Sequence, residues 1–465
     1  MLGKIRRIHF VGIGGIGMSG IAEVLLTLGF EVSGSDQKAT PVTERLAKLG
    51  ARVFEGHDAS HARDAQVVVV SSAVRGDNPE IQEAHRRQIP VIPRAEMLAE
   101  LMRLKFNVAV AGAHGKTTVT SMVAVMTAEA KLDPTAVIGG RLDVFGSSAR
   151  LGKSDLMVVE ADESDRSFLY LLPSIAVVTN IDREHLDHYK DLEEIAQAFL
   201  SFVNKVPFYG AVVMCFDPPW REQVELLLPK IRRRVVTYGL EAGADLQGRI
   251  RELNPHGSVF DVAVKGGELG TFSIPVPGRH NVQNALATIA VGLELDLTPE
   301  QFRHGLERFR AADRRFQIKA EIDGITIVDD YGHHPTEIRV TLEAARLRAA
   351  KRVVAIFQPH RYTRTSFLMD ELAASMAECD LVYVLDIYGA SETPITGVTS
   401  ERLVERMHEL GIANAHYAPE EKPLVETLVK AVRPGDLVIT IGAGSVWKVG
   451  EALASELRAR VGQRQ

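Results

Sequence analysis

Two glycine-rich loops, each placed between an apolar strand and a helix, constrain the fold of this chain more than any other feature. The first, "VGIGGIGMSG" over residues 11–20, follows the predicted strand "IRRIHFV", opens the predicted helix "MSGIAEVLLTLG", and has the spacing G-x-G-x-x-G. The second, "AVAGAHGKTTVTSM" over residues 109–122, also joins an apolar strand to a helix. A strand, a glycine turn and a helix in that order begin a βαβ unit, so the sequence predicts two parallel α/β domains at least.

The alternation of strands and helices divides the chain into three segments, with boundaries predicted near residues 104 and 313. Residues 1–104 alternate short β-rich runs with helical stretches, and residues 105–313 begin that pattern again. Between about 210 and 276, alternation broken by Gly and Asn-Pro predicts antiparallel hairpins. The βα pattern returns over residues 314–465. We expect an α/β protein with a Rossmann-like first domain, a central P-loop ATPase-like domain with an antiparallel β flank, and a Rossmann-like C-terminal domain.

Composition excludes several classes of partner. The net charge of -6 gives no electrostatic basis for binding nucleic acid or an anionic membrane surface. The two cysteines, Cys215 and Cys379, provide no disulfide framework, as is typical of a reducing compartment. No stretch approaches the roughly 20 apolar residues of a membrane helix. We therefore expect a cytoplasmic protein without nucleic-acid or membrane partners, present as a monomer or weak homodimer.

The first loop is typical of a pyrophosphate site but does not by itself identify the ligand. Glycines allow close approach of the backbone, and a helix N-terminus attracts any pyrophosphate. Asp36 ends the next predicted strand, "EVSGSD", at the position where dinucleotide-binding domains hold a ribose. From this stretch alone, NAD and other pyrophosphate ligands both remain open.

The second loop favours ATP. It reads G-x-x-G-K-T-T, shorter than the usual phosphate loop because residue 110 is Val. Backbone N–H groups can still surround phosphate, Lys116 can contact the β- and γ-phosphate oxygens, and the Thr117 hydroxyl can bind Mg²⁺. The alternative is a glycine turn whose lysine points to solvent. The residues predicted here to bind ATP are Gly112, His114, Gly115, Lys116, Thr117 and Thr118.

Carboxylates follow the next two predicted strands of the same domain. "VVEADESD" and "TNIDREHLDHY" supply seven of them. Glu160 directly follows an apolar strand, and we expect it to hold metal because magnesium carboxylates lie at strand ends. For most of the others we expect a solvated acidic turn.

These motifs, together with "GRHNVQNALA", "RRFQ", "DDYGHHPTE" and "FQPHRYTRT", resemble the Mur ligase family over residues 8–447. "HFVGIGGIGMSGIAEVL" and "SSAV" resemble the branch that adds the first amino acid of the peptidoglycan stem peptide. The resemblance implies an ATP-dependent ligase that joins the lactyl carboxylate of UDP-N-acetylmuramate to L-alanine through an acyl phosphate, releasing ADP and phosphate. It also implies Mg²⁺, and it assigns the first loop to the UDP pyrophosphate with no nicotinamide.

The resemblance further implies roles for individual residues. UDP-sugar binding is assigned to Gly14, Gly15, Ile16, Gly17, Ser35, Asp36, His57, Ser71, Ser72 and Arg94. ATP binding gains His280, Asn281, Arg315 and Asp330. The metal ligands are Thr117, Glu160 and His185; the amino-acid site is His360, Arg361 and Arg364; and the catalytic set is Lys116, Glu160, His185, His333 and Arg361. His333 and His360 are both candidates to accept the proton of the amine.

Several alternatives remain beside this assignment. Alone, "DDYGHH" could be a metal cluster, and "HRYTR" could be a solvated basic turn. A dehydrogenase has no use for the second loop, and a noncatalytic ATP-gated protein would be expected to lose Glu160. The strongest alternative is the related ligase that attaches a recovered tripeptide to the same UDP-sugar, because its ATP site would look alike.

Overall fold

The first domain contains a parallel sheet of five strands ordered 3-2-1-4-5. The computed structural model describes residues 3–71, 73–142, 147–185, 188–349 and 351–462. Ile8, Phe10 and the first three valines of the "VVVV" strand are buried, as expected for central parallel strands covered on both faces. The strands are β1 (Arg7–Val11), β2 (Glu31–Asp36), β3 (Arg52–Glu55), β4 (Val67–Val70) and β5 (Val91–Pro93), and the helices are α1 (Ile16–Thr27), α2 (Pro41–Lys48), α3 (Pro79–Arg86) and α4 (Arg94–Met102).

The central domain is built on a sheet of ten strands in the order 15-14-13-12-11-10-6-9-7-8. Its strands are β6 (Phe106–Ala111), β7 (Thr135–Leu142), β8 (Ser147–Arg150), β9 (Leu156–Glu160), β10 (Ile175–Val178), β11 (Ala211–Cys215), β12 (Val235–Gly239), β13 (Leu246–Asn254), β14 (Gly257–Val264) and β15 (Gly267–Ile274). Its helices are α5 (Lys116–Glu129), α6 (Leu192–Val203), α7 (Arg221–Leu227), α8 (Arg279–Glu294) and α9 (Pro299–Arg308). β13, β14 and β15 pair antiparallel and form the predicted flank.

The prediction of hairpins over 210–276 is wrong for the first half of that segment. β11 pairs parallel with β10 and with β12, and β12 pairs parallel with β13. The connection from β11 to β12 includes α7, and a crossover of this length can return the chain for parallel pairing. The segment therefore extends the parallel sheet before it turns antiparallel.

The C-terminal domain has a sheet of six strands in the order 16-17-21-18-19-20, with only the first pair antiparallel among the described strands. The strands are β16 (Gln317–Ile322), β17 (Ile325–Asp330), β18 (Arg352–Phe357), β19 (Leu381–Val384), β20 (Ala415–Tyr417) and β21 (Asp436–Ile441). The helices are α10 (Pro335–Arg348), α11 (Tyr362–Phe367), α12 (Met369–Ser375), α13 (Ser400–Glu409), α14 (Glu421–Ala431) and α15 (Trp447–Gly462). The expected three-domain α/β fold is confirmed; the exact boundaries at 104 and 313 remain predictions.

Apolar packing fixes the helix that follows the second glycine loop. Val119 and Met122 of α5 are buried with Leu286 and Ile289 of α8 against the central sheet. Because α5 is anchored along its length, its first turn is held at the carboxyl ends of β6 and β9. Within the described residues, no helix is both long and apolar enough to cross a membrane.

Polar contacts join the domains. Arg94 of the first domain lies 3.8 Å from the carboxylate of Asp162 in the central domain. Across the other junction, Arg364 donates to Glu184 at 3.1 Å, and the Thr336 hydroxyl donates to Asp182 at 2.9 Å. The C-terminal domain is therefore closed against the strand ends that carry the predicted site.

Candidate active site

Glycine is required at two positions of the second loop. Gly112 has φ +132°, and a Cβ there would lie 2.0 Å from Thr179 Oγ1. Gly115, at the N-terminus of α5, has a left-handed backbone with φ +81°. The loop therefore brings backbone close to the helix N-terminus, an arrangement that favours phosphate.

Lys116 lies partly buried at the base of this loop. Its Nζ donates to the carbonyl oxygens of Gly112 at 2.7 Å and Ala113 at 3.0 Å, and to Glu163 Oε1 at 2.8 Å. Burial alone would lower the pKa of Lys116, but the Glu163 carboxylate, with further carboxylates nearby, raises it. The lysine is thus a fixed positive charge, so the solvent-facing alternative is wrong.

Glu160 is held by the loop helix and by a neighbouring strand. Thr117 Oγ1 donates to Glu160 Oε1 at 3.0 Å, and the backbone N–H of Gly139 donates to Oε2 at 2.7 Å. Burial raises the pKa of Glu160, while Lys116 opposes that shift. Sequence reasoning missed Gly139, although a glycine inside a strand often marks a close approach.

A second carboxylate group lies around His185. Glu163 and Glu184 are buried, and His185 Nε2 is 3.3 Å from Glu163 Oε1 and 3.9 Å from Glu184 Oε2. The expectation of a solvated acidic turn is wrong for these two glutamates: Glu163 is enclosed by Lys116 and His185 of its own domain, and Glu184 is covered by the C-terminal domain through Arg364. Considering only described residues, Glu163 Oε2 is buried without a hydrogen-bond partner. These oxygen donors, together with Glu160 and Thr117, fit a hard divalent cation.

His114, Asp182, His334 and Thr336 form a second polar group, here called the domain clasp. Asp182 Oδ2 is 2.9 Å from His114 Nε2 and accepts from Thr336 Oγ1 at 2.9 Å. His334 uses Nδ1 to accept the Thr336 N–H and Nε2 to donate to the Arg183 carbonyl. Because these atoms are already paired, the group joins two domains and does not suit a metal.

Opposite charges set the protonation of the clasp. Burial would lower the pKa of His114, but the carboxylates of Asp182 and Glu337 raise it to about 10. Burial, followed by the neighbouring His114, lowers the pKa of His334 to about 4. The clasp therefore pairs one imidazolium with carboxylates and keeps the second imidazole neutral.

Two cavities adjoin the phosphate loop. The larger cavity, of about 780 Å³, is lined by most of the predicted catalytic side chains. Arg364 has a side chain only 11% exposed and donates to Glu184, so the solvated-turn reading of "HRYTR" is wrong for this residue. Burial and the surrounding cations lower the pKa of His360 to about 3. The predicted residues that line this cavity are Gly115, Lys116, Thr117, Glu160, His185, Arg315, His333, His360, Arg361 and Arg364.

The smaller cavity, of about 390 Å³, lies on the other side of the phosphate loop. Gly115, Arg315 and Glu337 line both cavities, so the two spaces adjoin at the start of α5. The predicted nucleotide residues along its wall are His114, Gly115, Thr118, His280, Asn281, Arg315 and Asp330. One elongated ligand can therefore occupy both spaces by passing Gly115.

"DDYGHH" is not a metal cluster in the described part of the chain. Asp330 is buried and accepts from the backbone N–H groups of Phe316 and Gly332, both at 2.8 Å. His333 Nδ1 donates to the Tyr331 carbonyl oxygen at 3.1 Å. The motif shapes the wall between the cavities.

The residues predicted for the UDP-sugar gather at the carboxyl edge of the first sheet. Asp36 accepts from the N–H of Gly14 at 2.8 Å, so this carboxylate holds the loop. A Cβ at Gly17 would lie 2.7 Å from Arg94 Nη1. Gly15 is the N-cap of α1, and Ile16 is its first residue. The Ser35 hydroxyl forms a hydrogen bond with His57. Ser71 and Arg94 line a cavity of about 280 Å³. Ser72 lies outside the described residues.

Three family models match successive parts of the chain. They are described as "Mur ligase family, catalytic domain" over residues 7–106, "Mur ligase middle domain" over 110–292, and "Mur ligase, glutamate ligase domain" over 314–444. Together with the fold and the phosphate-loop site, these matches define the class: the chain belongs to the Mur ligase family.

Individual relatives agree over the full length. The chain is 57% identical to the UDP-N-acetylmuramate–L-alanine ligase of Solibacter usitatus, over 98% of this chain and 97% of the relative. It is 53% identical to the protein of the same name from Syntrophotalea carbinolica, covering 99% and 100%. The crystal structure of the UDP-N-acetylmuramate–alanine ligase of Thermotoga maritima matches with a TM-score of 0.82 at 29% identity, covering 98% and 99%.

Proposed function

We propose that this chain is an ATP-dependent ligase that joins the lactyl carboxylate of UDP-N-acetylmuramate to the amino group of L-alanine. The bond would form through an acyl phosphate, with release of ADP and phosphate, during synthesis of peptidoglycan precursors. The observation that most supports this proposal is the larger cavity, which is lined by Lys116 and Glu160 of the central domain and by His333 and Arg364 of the C-terminal domain. The full-length relatives named for this reaction support the same substrates.

ATP fits the two adjoining cavities. The nucleoside would occupy the smaller cavity beside His280 and Asn281, and the phosphates would pass Gly115 to reach Lys116. Thr117, Glu160 and His185 would hold Mg²⁺, which neutralises phosphate charge when bound. Since Lys116 is fixed by two backbone carbonyls, its charge is positioned before the nucleotide arrives.

Activation of the carboxylate requires positive charge around the transferring phosphoryl group. A carboxylate is a poor acyl donor, and phosphate makes it reactive toward an amine. Lys116, Arg315 and Arg364 surround the larger cavity and can stabilise the oxyanions of both steps. Arg361 lines the same cavity and is a candidate to bind the carboxylate of the amino-acid substrate.

The two candidates for accepting the amine proton differ in their surroundings. His360 is a poor acceptor because burial and nearby cations lower its pKa to about 3. His333 Nε2 lies 3.4 Å from Glu184 Oε1, and that carboxylate can stabilise an imidazolium. Of the two, we favour His333.

The remaining assignments belong to the same proposal. The edge of the first sheet would hold the UDP-sugar, with Arg94 beside the central domain placing the acyl end near the larger cavity. We place the protein in the cytoplasm, where its nucleotide substrates are made, and expect a monomer or weak homodimer.

The test is a set of acceptor incubations with product analysis. The protein is mixed with UDP-N-acetylmuramate, ATP and Mg²⁺ and with L-alanine, glycine, L-serine or a tripeptide in turn. Phosphate release and product mass are then measured. Release that requires the UDP-sugar and is greatest with L-alanine supports the proposal, whereas equal or better turnover with the tripeptide supports the related tripeptide ligase.

A further inference from the structure

A buried glutamate in the first domain lies at the centre of a group of histidines. Glu80, in the first turn of α3, has a side chain with no exposed surface. Its Oε2 accepts from Ser35 Oγ at 2.6 Å, and its Oε1 lies 2.8 Å from His61 Nδ1. His9 Nε2 and His57 Nδ1 each lie 3.5 Å from Oε2.

Glu80 is an acceptor only. Burial would raise its pKa, but the nearby His9 imidazole and the hydrogen bonds from Ser35 and His61 lower it to about 2. An ionised carboxylate has no hydrogen to give, so both Ser35 and His61 must donate to it.

The direction of the hydrogen bond from Ser35 to Glu80 also decides the direction of the hydrogen bond between Ser35 and His57. The Ser35 hydroxyl has one hydrogen, which it gives to Glu80. Its oxygen lies 3.0 Å from His57 Nδ1 and must therefore accept a hydrogen from that atom. With a single proton on the ring, His57 carries it on Nδ1, which leaves Nε2 as an acceptor.

His57 lies where this acceptor can meet a nucleoside. It follows β3, whose end lies beside the end of β2 at the same sheet edge as the first glycine loop. In doubly wound domains, the ribose lies near the end of the second strand, while the pyrophosphate lies at the glycine loop. The His57 side chain is 19% exposed, so it is partly accessible from solvent.

We infer that Glu80 is a positioning residue: through Ser35 it fixes His57 as a hydrogen-bond acceptor for a donor on the uridine of the UDP-sugar, a ribose hydroxyl or the imide N–H. The inference rests on the proposed function for the identity of the ligand. It adds a residue, Glu80, that contacts no ligand and determines which atom of His57 carries the proton.

The first experiment reads the proton directly. Histidine ¹⁵N chemical shifts in the unliganded protein distinguish Nδ1–H from Nε2–H, and a His57→Gln variant assigns the His57 signal. We expect Nδ1–H at His57 and at His61, although free histidine favours the other tautomer. A neutral His57 with its proton on Nε2 would overturn the inference, whatever the enzyme's substrate.

The second experiment removes the acceptor. In Glu80→Met, the Ser35 hydroxyl is left to donate to His57 Nδ1, so the proton should move to Nε2 and UDP should bind about three- to tenfold more weakly by calorimetry. Glu83→Gln is the matched control, because Glu83 lies on the same helix and pairs with Arg86 and Arg87. A tautomer change at His57 without weaker UDP binding would overturn the positioning role.

A second variant covers the case in which Glu80→Met does not fold. Glu80→Gln offers one acceptor oxygen to two donors, so His57 or His61 must lose its Nδ1–H signature. Retention of both signatures would overturn the inference. If the wild-type protein does not bind UDP at all, the proposed function fails, while the ¹⁵N measurement still decides the tautomer.

Discussion

Gly139→Ala should weaken the affinity for magnesium without removing any metal ligand. A Cβ at residue 139 would lie 2.3 Å from Glu160 Oε1 and 2.6 Å from Oε2, against an ordinary contact of 3.4 Å or more. The carboxylate must therefore retreat by about 1 Å, and it loses its bond from the Gly139 N–H. Because partners that orient a metal ligand typically contribute 10- to 100-fold to metal affinity, we expect a loss of roughly that size.

The assay is phosphate release at saturating ATP and UDP-sugar across a range of free Mg²⁺. The half-saturating Mg²⁺ concentration should rise about 10- to 100-fold, with much of the maximal rate restored at high Mg²⁺. Gly76→Ala is the matched control, since a Cβ there meets nothing within 4 Å and its backbone is compatible with alanine. Circular dichroism and the melting temperature should be close to wild type in both variants.

One result would refute this reasoning. If folded Gly139→Ala has the wild-type magnesium curve, Glu160 is not the carboxylate that holds the ion. Glu160→Ala should then also retain near-normal turnover at ordinary Mg²⁺, which would transfer the role to the group around His185.

Three further outcomes are expected. Lys116→Ala should abolish phosphoryl transfer but leave UDP-N-acetylmuramate binding nearly unchanged, whereas Gly14→Val should obstruct the UDP pyrophosphate and retain ATP binding. Calorimetry of both variants with each ligand separates the two sites. Loss of both ligands in either variant would contradict the assignment of one ligand to each loop. Glycine or L-serine should replace L-alanine with some activity, because one methyl contributes only about 1–3 kcal/mol; competition kinetics measure this, and an absolute requirement for L-alanine would argue for polar discrimination. Since the folded pKa of Glu80 lies below its ordinary value, its stabilising contribution is present above about pH 4.5 and is lost as the pH falls through about 2. The difference in unfolding free energy between wild type and Glu80→Gln should therefore shrink between pH 5 and about 2 in urea titrations, and a constant difference would contradict this linkage.

The sequence predicted the parts of the site whose chemistry is local. A phosphate loop requires glycine, lysine and threonine next to one another, so Lys116 and Thr117 could be identified from one short string. Glu160 could be predicted because it directly follows an apolar strand. The family resemblance added distant residues such as His333 and Arg364, which the larger cavity brings together with Lys116.

What the sequence did not predict depends on packing between distant segments. Glu163 and Glu184 were predicted to be solvated because their partners are distant in sequence: Lys116 contacts Glu163, and Arg364, from a domain that begins more than a hundred residues later, contacts Glu184. Glu80 occupies the first turn of a helix, where acids are common for the helix dipole alone, and nothing local indicates the histidines around it. Strand direction near 210–240 was also hidden, since alternation does not distinguish parallel from antiparallel pairing.

The polar character of the domain clasp bears on how readily the enzyme can reopen. An apolar junction between two domains must expose apolar surface to water whenever it separates, and that exposure is unfavourable. Asp182 and Thr336 of the clasp, and the neighbouring pair Glu184 and Arg364, are instead groups that water solvates well once the domains part. Closure of this kind is reversible at modest cost, which suits a protein that must admit three reactants and discharge three products in every cycle.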